Sequence, residues 1–415
     1  MPLHRFALLS LGLSGLLAGP ALAAPACDER TALSAFLEGN PRIAAIRQQV
    51  EVARAQAVSA GVLANPTLDV GRDQVFLAGG PAEENRLALR TPLSLGGKRE
   101  LRQAIAQSGI EAAEARANQQ ILDLSHEFRL TFARAHRQES GAAVMADGLV
   151  TYRRLERIAE ARQRAGEGAG YDVLRLRLAR STIESRQTDA QTQAGEERAR
   201  IAGLLGRPLE GPLQPMALGA VPESPALVEL ALARRADLLA LRSEQAQAGT
   251  ALTLAERTRW PDPEVALGLR QTNEPTVQGF GYTAGLAWPL PIFDRAQGAQ
   301  ASARAELARL QAEEAAIAAR LRVEIPAFRQ ALAARLAAAE RFEREVLARV
   351  PEVVRVAEVA YREGDQGLAP LLDAHQAALD ARLHALDLSL LARTTRLELE
   401  RLIGSALPEP QRSHP

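Results

Sequence analysis

The 415-residue sequence contains one cysteine, Cys27, and aromatic side chains make up only 4% of it. One cysteine cannot form an internal disulfide, and few aromatic residues argue against a dense aromatic core. Net charge is also absent, because 50 basic residues balance 50 acidic ones. We therefore expect no surface for nucleic acid. Beyond the first residues, no stretch reaches the roughly 18 apolar residues of a membrane-spanning helix, so any membrane crossing would use strands.

Catalytic and ligand-binding motifs are missing as well. Gly96, Gly97 and Lys98 resemble the end of a phosphate-binding loop, but Pro92 occupies the position of the glycine that opens such a loop. The histidines lack the spacing of three or four residues that places two metal ligands on one helical face. We expect no enzyme, no cofactor and no metal site. Four histidines are predicted to lie at the surface or in interfaces: His126, His136, His375 and His384.

The first residues predict a secretory signal peptide over 1–23. Basic residues precede an apolar run, and Ala21-Leu22-Ala23 provides an Ala-x-Ala cleavage site. Cleavage after Ala26 is an alternative. Lipidation of Cys27 is a third possibility, although the residues before it form a poor lipoprotein motif.

The remaining chain switches between helical and strand periodicity. Apolar residues at helical spacing predict a helix that begins at Asn40-Pro41, and alternating residues predict a strand hairpin over 67–95. A helical pattern without proline then continues to about residue 165, which corresponds to a helix roughly 100 Å long. A glycine-rich turn over 166–171 and another helix complete a first repeat over 24–208.

The second half repeats this order at a nearly constant offset. Pro289 lies 197 positions after Pro92, and Gly364 lies 198 positions after Gly166. An offset that changes by one residue across the whole unit indicates an internal duplication. The predicted segments are a linker at 209–225, a second repeat at 226–407 with a strand hairpin at 263–291 and a turn at 364–370, and a tail at 408–415.

The second long helix differs from the first in one physical respect. It contains Pro326 and Pro351, whereas the first has Arg129 and Arg153 at the matching positions. A proline inside a helix removes a backbone hydrogen bond and costs about 3 kcal/mol. We expect a fixed kink at each proline, with a moving hinge as the alternative.

Each hairpin is predicted to join its long helix at a defined junction. Proline ends a strand because it withholds a ladder donor, and Asp294 near a helix start interacts favourably with the helix dipole. In the first repeat, the glycine pair is expected to serve the same purpose by its flexibility. The predicted junction residues are Pro92, Gly96, Gly97, Pro289, Pro291 and Asp294.

Four strands per chain are too few to close a barrel, because about eight are required and open edges are not tolerated in lipid. Each predicted strand has roughly ten residues, which is the length that crosses a bilayer when tilted. A membrane role would therefore require oligomerisation. A small soluble hairpin packed on the helix ends is the alternative.

Taken in order, these motifs resemble the TolC-like outer-membrane efflux proteins. They are Gly39-Asn40-Pro41, Ala64-Asn65-Pro66-Thr67-Leu68, Pro289 to Arg295 with Gly298, and Tyr361-Arg362-Glu363-Gly364 followed by Leu371-Leu372-Asp373-Ala374. Leu95-Gly96-Gly97-Lys98-Arg99 is most similar to the heavy-metal branch, the CzcC-like component of cobalt-zinc-cadmium exporters.

The resemblance implies a mainly α fold with a small membrane β part. Duplicated long helices would form an α-barrel, and four strands from each copy would close a 12-stranded β-barrel in a homotrimer. It further implies a passive duct in the outer membrane that extends into the periplasm. The implied partners are a periplasmic adaptor (membrane fusion) protein, an inner-membrane RND transporter and outer-membrane lipid.

The exported substrate implied by this branch is a heavy-metal cation. The same channel serving drug or polypeptide export is an alternative, because a passive pore receives whatever its pump delivers. A periplasmic helical adaptor or scaffold without a pore is the alternative from a different class. Adaptors usually have one helical hairpin with β-rich flanks, whereas this chain has two hairpins and no such flanks.

The resemblance also implies that the two helical turns form the periplasmic mouth, where the gate and the adaptor docking surface lie. Gln366 and Pro370 replace an arginine and an aspartate that are frequent in the family, so a charged latch must differ here. Solvated charges at helix ends are the alternative role for these side chains. The candidate residues are Gly166, Gly170, Asp172, Tyr361, Arg362, Gly364, Asp365 and Asp373.

Overall fold

The computed structural model describes residues 27–77, 80–166, 170–218, 221, 224–274 and 277–407. The predicted signal peptide, its cleavage sites and the tail at 408–415 lie outside the described residues. Among the described helices, none is both long enough and apolar enough to cross a bilayer. The chain is mainly helical with a few antiparallel strands, so the predicted fold class is confirmed at this level.

Nine helices and six strands lie in the described ranges. The helices are α1 (Glu29–Gly39), α2 (Pro41–Ala60), α3 (Lys98–Arg164), α4 (Gly170–Leu205), α5 (Ser224–Arg234), α6 (Ala236–Thr258), α7 (Gln297–Glu345), α8 (Val350–Glu363) and α9 (Leu368–Ile403), with a 3₁₀ turn at Leu347–Arg349. The strands are β1 (Cys27–Asp28), β2 (Thr67–Leu77), β3 (Gly80–Pro92), β4 (Leu213–Gln214), β5 (Glu264–Asn273) and β6 (Gln278–Ala287). Helices α1 and α5 and the short β1–β4 pair were not predicted.

The start of α2 shows how local sequence fixes a helix boundary. The Asn40 side chain accepts a hydrogen bond from the Arg42 backbone N–H at 2.8 Å, and Pro41 occupies the first helical turn. These are a favourable N-cap and a residue pre-organised for helix. The Asn40 amide also donates to the Leu204 carbonyl at 2.6 Å, which ties this start to the end of α4.

One antiparallel sheet contains both predicted hairpins, in the order β2-β3-β5-β6. Strands β3 and β5 pair across the two halves, with Leu89 opposite Leu267. Gly268 is needed at this seam, because a Cβ atom there would lie 2.4 Å from the Leu87 carbonyl oxygen. Strands β2 and β6 each have one neighbour within the described sheet, so their outer edges carry unpaired backbone groups.

Three hydrophobic clusters hold the helices together. The first surrounds Phe36 and Phe128, whose rings stack with centroids 4.8 Å apart. The second joins α3, α4, α8 and α9 near the helical turns and includes Leu176 and Tyr361. The third joins α5, α6, α7 and α9. Three of the aromatic residues, Phe36, Phe128 and Phe132, thus meet where α1 packs on α3.

The two helix prolines occupy different environments. Pro326 lies inside α7, and the choice between kink and hinge there stays a prediction. The expectation for Pro351 is wrong, because α7 ends at Glu345 and Pro351 lies in the first turn of α8. The first N–H groups of a helix have no intrahelical partner, so proline costs little at that position. Pro351 therefore marks the start of a separate helix.

One histidine prediction is also wrong. His375 is buried inside the chain, and its ring meets the edge of Tyr152 with centroids 6.3 Å apart. His384, nine residues later on α9, is exposed and contacts Phe342. The described residues contain no group of three or more metal-ligating side chains.

Candidate functional sites at the strand–helix junctions and the helical tip

The first junction turns the chain from β3 into α3 by two left-handed glycines. Pro92 is the last residue of β3, and Gly96 and Gly97 have φ values of 70° and 67°. The Arg257 guanidinium donates to the Gly96 carbonyl at 2.7 Å and fills the space that a Cβ atom on Gly97 would need. Glycine is therefore required here for a specific backbone shape and a close contact, whereas the sequence suggested flexibility.

A buried ion pair connects this junction to the second half of the chain. Lys98 is the only lysine in the sequence, and its Nζ lies 2.9 Å from Asp262 Oδ1. Lys98 is buried and also donates to the Trp260 carbonyl. The same Asp262 oxygen accepts the Leu95 N–H at 3.0 Å. Asp262 was missed by the sequence reasoning, although its position between two prolines and the single lysine were available signals.

The second junction is irregular from 288 to 296. Asp294 accepts the Ala296 N–H at 2.9 Å, so it forms a tight turn ahead of α7. Ala296 has φ 60°, the only positive φ of a non-glycine residue in the described ranges, and it stands where the first junction has a glycine. Pro289 and Pro291 flank Leu290, and an exposed apolar group surrounds them: Trp288, Leu290, Ile292 and Phe293.

At the opposite end of the long helices, two turns form the helical tip. Gly166 and Gly364 have φ values of 79° and 85° and follow the ends of α3 and α8. Gly170 is the first residue of α4, and 167–169 lie outside the described residues. Both positive-φ glycines allow a sharp exit from a helix.

The tip residues meet through an arginine that sequence reasoning missed. Arg162 on α3 donates to the Tyr361 carbonyl at 2.8 Å, and its guanidinium carbon lies 5.0 Å from the centre of the Tyr361 ring. Burial raises the pKa of Tyr361, the Arg162 charge opposes this, and the Asp172 charge adds to it. Tyr361 is thus brought to Arg162, and Asp172 lies close enough to act on the Tyr361 hydroxyl. The other charged candidates are exposed around the second turn: Arg362, Asp365 and Asp373.

A buried charge network holds the middle of the bundle. Glu29 on α1 accepts from Arg129 Nε at 3.0 Å, from Arg393 Nη1 at 3.1 Å and from the Met216 N–H at 2.8 Å. Glu400 on α9 pairs with the same Arg129 at 2.5 Å. The network therefore joins α1, α3 and α9 to the connection between the two halves.

Cys27 lies beside this region. Its N–H donates to the Pro212 carbonyl at 2.9 Å, and β1 pairs in parallel with β4. Burial raises the pKa of the Cys27 thiol, with a smaller opposing effect of Arg198. Lipidation of Cys27 stays a prediction.

By sequence, the chain is similar to a metal-resistance protein. No family model matches the chain. It is 23% identical over 391 residues to the cobalt-zinc-cadmium resistance protein CzcC of Cupriavidus metallidurans, which covers 90% of this chain and 89% of that protein.

By structure, the chain is similar to solved outer-membrane proteins. VceC of Vibrio cholerae matches with a TM-score of 0.72 at 16% identity, over 91% of this chain and 96% of that chain. The open state of the MtrE outer-membrane channel of Neisseria gonorrhoeae also gives 0.72, at 17% identity, over 93% and 90%. The chain has the fold of these proteins. The resemblance predicted from the sequence motifs is confirmed in sequence and in fold.

Proposed function

We propose that this chain is the outer-membrane channel of a tripartite, RND-type efflux system and exports heavy-metal cations. The observation that carries the proposal is the combination of one membrane-length sheet with helices of up to 67 residues, in a fold shared with outer-membrane channels. Similarity to CzcC over 90% of the chain supports the metal class. The duct is passive, and the energy comes from the transporter.

The open sheet edges support assembly into a homotrimer. Unpaired edges are not tolerated in lipid, so β2 and β6 require strands from other copies. Side chains such as Val70 and Tyr282 are exposed on this sheet, as expected for positions that face lipid or another copy. Three copies would close a barrel of 12 strands.

The edge helices of the tip support the same assembly. Leu174 and Leu178 are exposed on α4, and Val353 and Val356 are exposed on α8. In one chain α4 packs on α3, and α8 packs on α9, so these two apolar stripes lie on opposite edges. A neighbouring copy would cover both. The adaptor and the transporter would meet the duct beyond these helices, at the tip.

Membrane fractionation and single-channel recording test the proposal. We expect the full chain in the outer-membrane fraction, a trimeric mass in detergent and stable conductance in planar bilayers. Loss of the gene should lower tolerance to cobalt, zinc or cadmium. A soluble periplasmic monomer without conductance would favour the scaffold alternative. Conductance with a loss of drug tolerance alone would reject the metal class.

Replacing Arg162 by alanine is expected to raise conductance several-fold or increase the open fraction, because it removes the contact that ties α3 to α8 at the tip. Single-channel recording of the variant measures this. The control is Arg153→Ala, which removes an exposed pair with Glu184 between α3 and α4. The same conductance and open fraction in wild type and both variants would show that Arg162 does not contribute to the gate.

A further inference from the structure

His375 is a buried titratable group that the duct itself does not need. Only 8% of the residue is exposed, and it lies on α9 between α3 and α8. Its Nε2 is 3.3 Å from Glu358 Oε1 but lacks the alignment of a hydrogen bond, and no other described group satisfies it. A buried polar atom without a partner is costly, so this nitrogen calls for an explanation.

The Glu358 carboxylate next to His375 is already paired with an arginine. Arg154 Nη2 lies 2.5 Å from the same Glu358 Oε1 that faces His375. A protonated imidazole would have to share this single oxygen with a guanidinium. Neutral His375 leaves the Arg154–Glu358 pair balanced, whereas a proton on His375 adds an unbalanced positive charge.

A cavity of about 160 Å³ adjoins this group. Three elements bring charges to its walls: Asp147 and Arg154 from α3, Glu358 from α8 and Arg382 from α9. These four charges balance. Tyr152 also lines the cavity, and Asp380, Arg186 and Asp373 act on its hydroxyl from further away. The cavity gives α8 room to shift and gives water a route to His375.

Helix α8 has a break in α-helical structure at each end. It has 14 residues, a 3₁₀ turn separates it from α7, and left-handed Gly364 follows it. Within the described chain its backbone packs mainly on α9. Helix α3 contacts α8 through the Arg154–Glu358 ion pair and through Arg162 on Tyr361. Pro351, in its first turn, lines the same cavity as His375. Loss of the α8–α9 contact would therefore leave α8, which carries Tyr361, held mainly by its side-chain contacts with α3.

We propose that His375 is a proton-sensitive latch that holds α8 on α9 when neutral and releases α8 when protonated. Release of α8 would loosen the contact of Tyr361 with Arg162 at the tip. An effect of this release on a gate rests on the proposed channel function. The latch itself is a property of the packing of α8 and can be measured without any channel.

The direction of the pH dependence follows from the environment of the ring. Burial lowers the pKa of His375, Glu358 partly opposes this, and Arg154 adds to the lowering. The released state, in water, binds a proton near the ordinary pKa of about 6.5. Above that pH both states are neutral and packing is complete. As the pH falls towards the lowered pKa, packing weakens by about tenfold for each pH unit.

Hydrogen–deuterium exchange of the full chain in detergent tests the latch. Between about pH 7.5 and about pH 5.5, after correction for intrinsic exchange, we expect protection of 350–363 to fall by up to about tenfold, while α4 stays protected. His375→Gln should abolish this change. His384→Gln, an exposed position on the same helix, should leave it intact. An unchanged α8 in wild type, or the same loss in His375→Gln, would overturn the proposal.

A second measurement does not depend on a variant that folds. Exchange of the imidazole C2 proton, followed by mass spectrometry of the wild-type protein, gives the pKa of each histidine. The latch requires a pKa for His375 below the ordinary value of about 6.5, and an equal or higher pKa would overturn it. Conductance at neutral pH then tests the channel separately, so failure of the latch and failure of the duct are distinguishable.

Discussion

Glu29→Ala is expected to lower the free energy of unfolding by about 3–5 kcal/mol, the usual cost of removing one partner from a buried ion pair. Glu29 is 1% exposed and accepts three hydrogen bonds. Among the described residues, its loss leaves Arg393 hydrogen-bonded to the Met216 carbonyl and leaves Arg129 paired with Glu400. The positive charges of the buried Arg129 and Arg393 would then be only partly compensated by nearby carboxylates.

Urea unfolding of the detergent-solubilised protein, followed by circular dichroism, measures this loss. Because burial lowers the pKa of Arg393 and Glu29 opposes that effect, the carboxylate is what makes a buried charge tolerable there. The control is Glu114→Ala, which removes an exposed pair with Arg54 and should change stability little. Comparable losses of unfolding free energy in the two variants would show that the buried network contributes no more to stability than an exposed ion pair.

The features predicted correctly from the sequence are those with a local or periodic signal. Alternating residues indicated the strands now paired as β2–β3 and β5–β6, and helical spacing without proline indicated α3. Glycines at helix ends, such as Gly166 and Gly364, could be predicted because a backbone with positive φ strongly favours glycine. The nearly constant sequence offset between the two halves also helped, because each predicted element could be compared with its counterpart in the other half.

The features that were missed depend on partners far away in the sequence. Asp262 meets Lys98 across the two halves, and Arg162 meets Tyr361 across α3 and α8. No spacing rule within one segment identifies such pairs. His375 is different, because it lies four residues after Leu371 and four before Leu379, both buried. Its phase on the helix could have predicted burial.

Helix breaks are the other limit. Nothing in the sequence pattern around Pro351 distinguishes a proline that kinks a helix from one that begins a new helix. The outcome depends on the 3₁₀ turn at Leu347–Arg349, which packs against α7, α8 and α9. Contacts with the surrounding helices, and not the proline alone, therefore determine that a new helix begins here. The same break gives α8 its independence from α7.

Asp262→Ala is expected to cost about 3–5 kcal/mol, because it leaves the buried Lys98 ammonium without its only described carboxylate partner. The change also removes the acceptor of the Leu95 N–H, immediately before the left-handed glycines. We therefore expect the loss to affect the junction first, as faster hydrogen exchange of 93–98 ahead of global unfolding. Glu306→Ala, which breaks an exposed pair with Arg309, is the control and should change little.

A double-mutant cycle separates the ion pair from the general cost of the substitutions. Lys98→Met removes the charge and keeps an apolar stem of similar length, and Asp262→Leu removes the carboxylate. If Lys98 and Asp262 act as a pair, the double variant should be more stable than the sum of the two single losses predicts, by about 1–3 kcal/mol. Strict additivity would mean that each residue acts alone. Coupling would show that a contact between the two halves fixes the point where the sheet passes into the long helices.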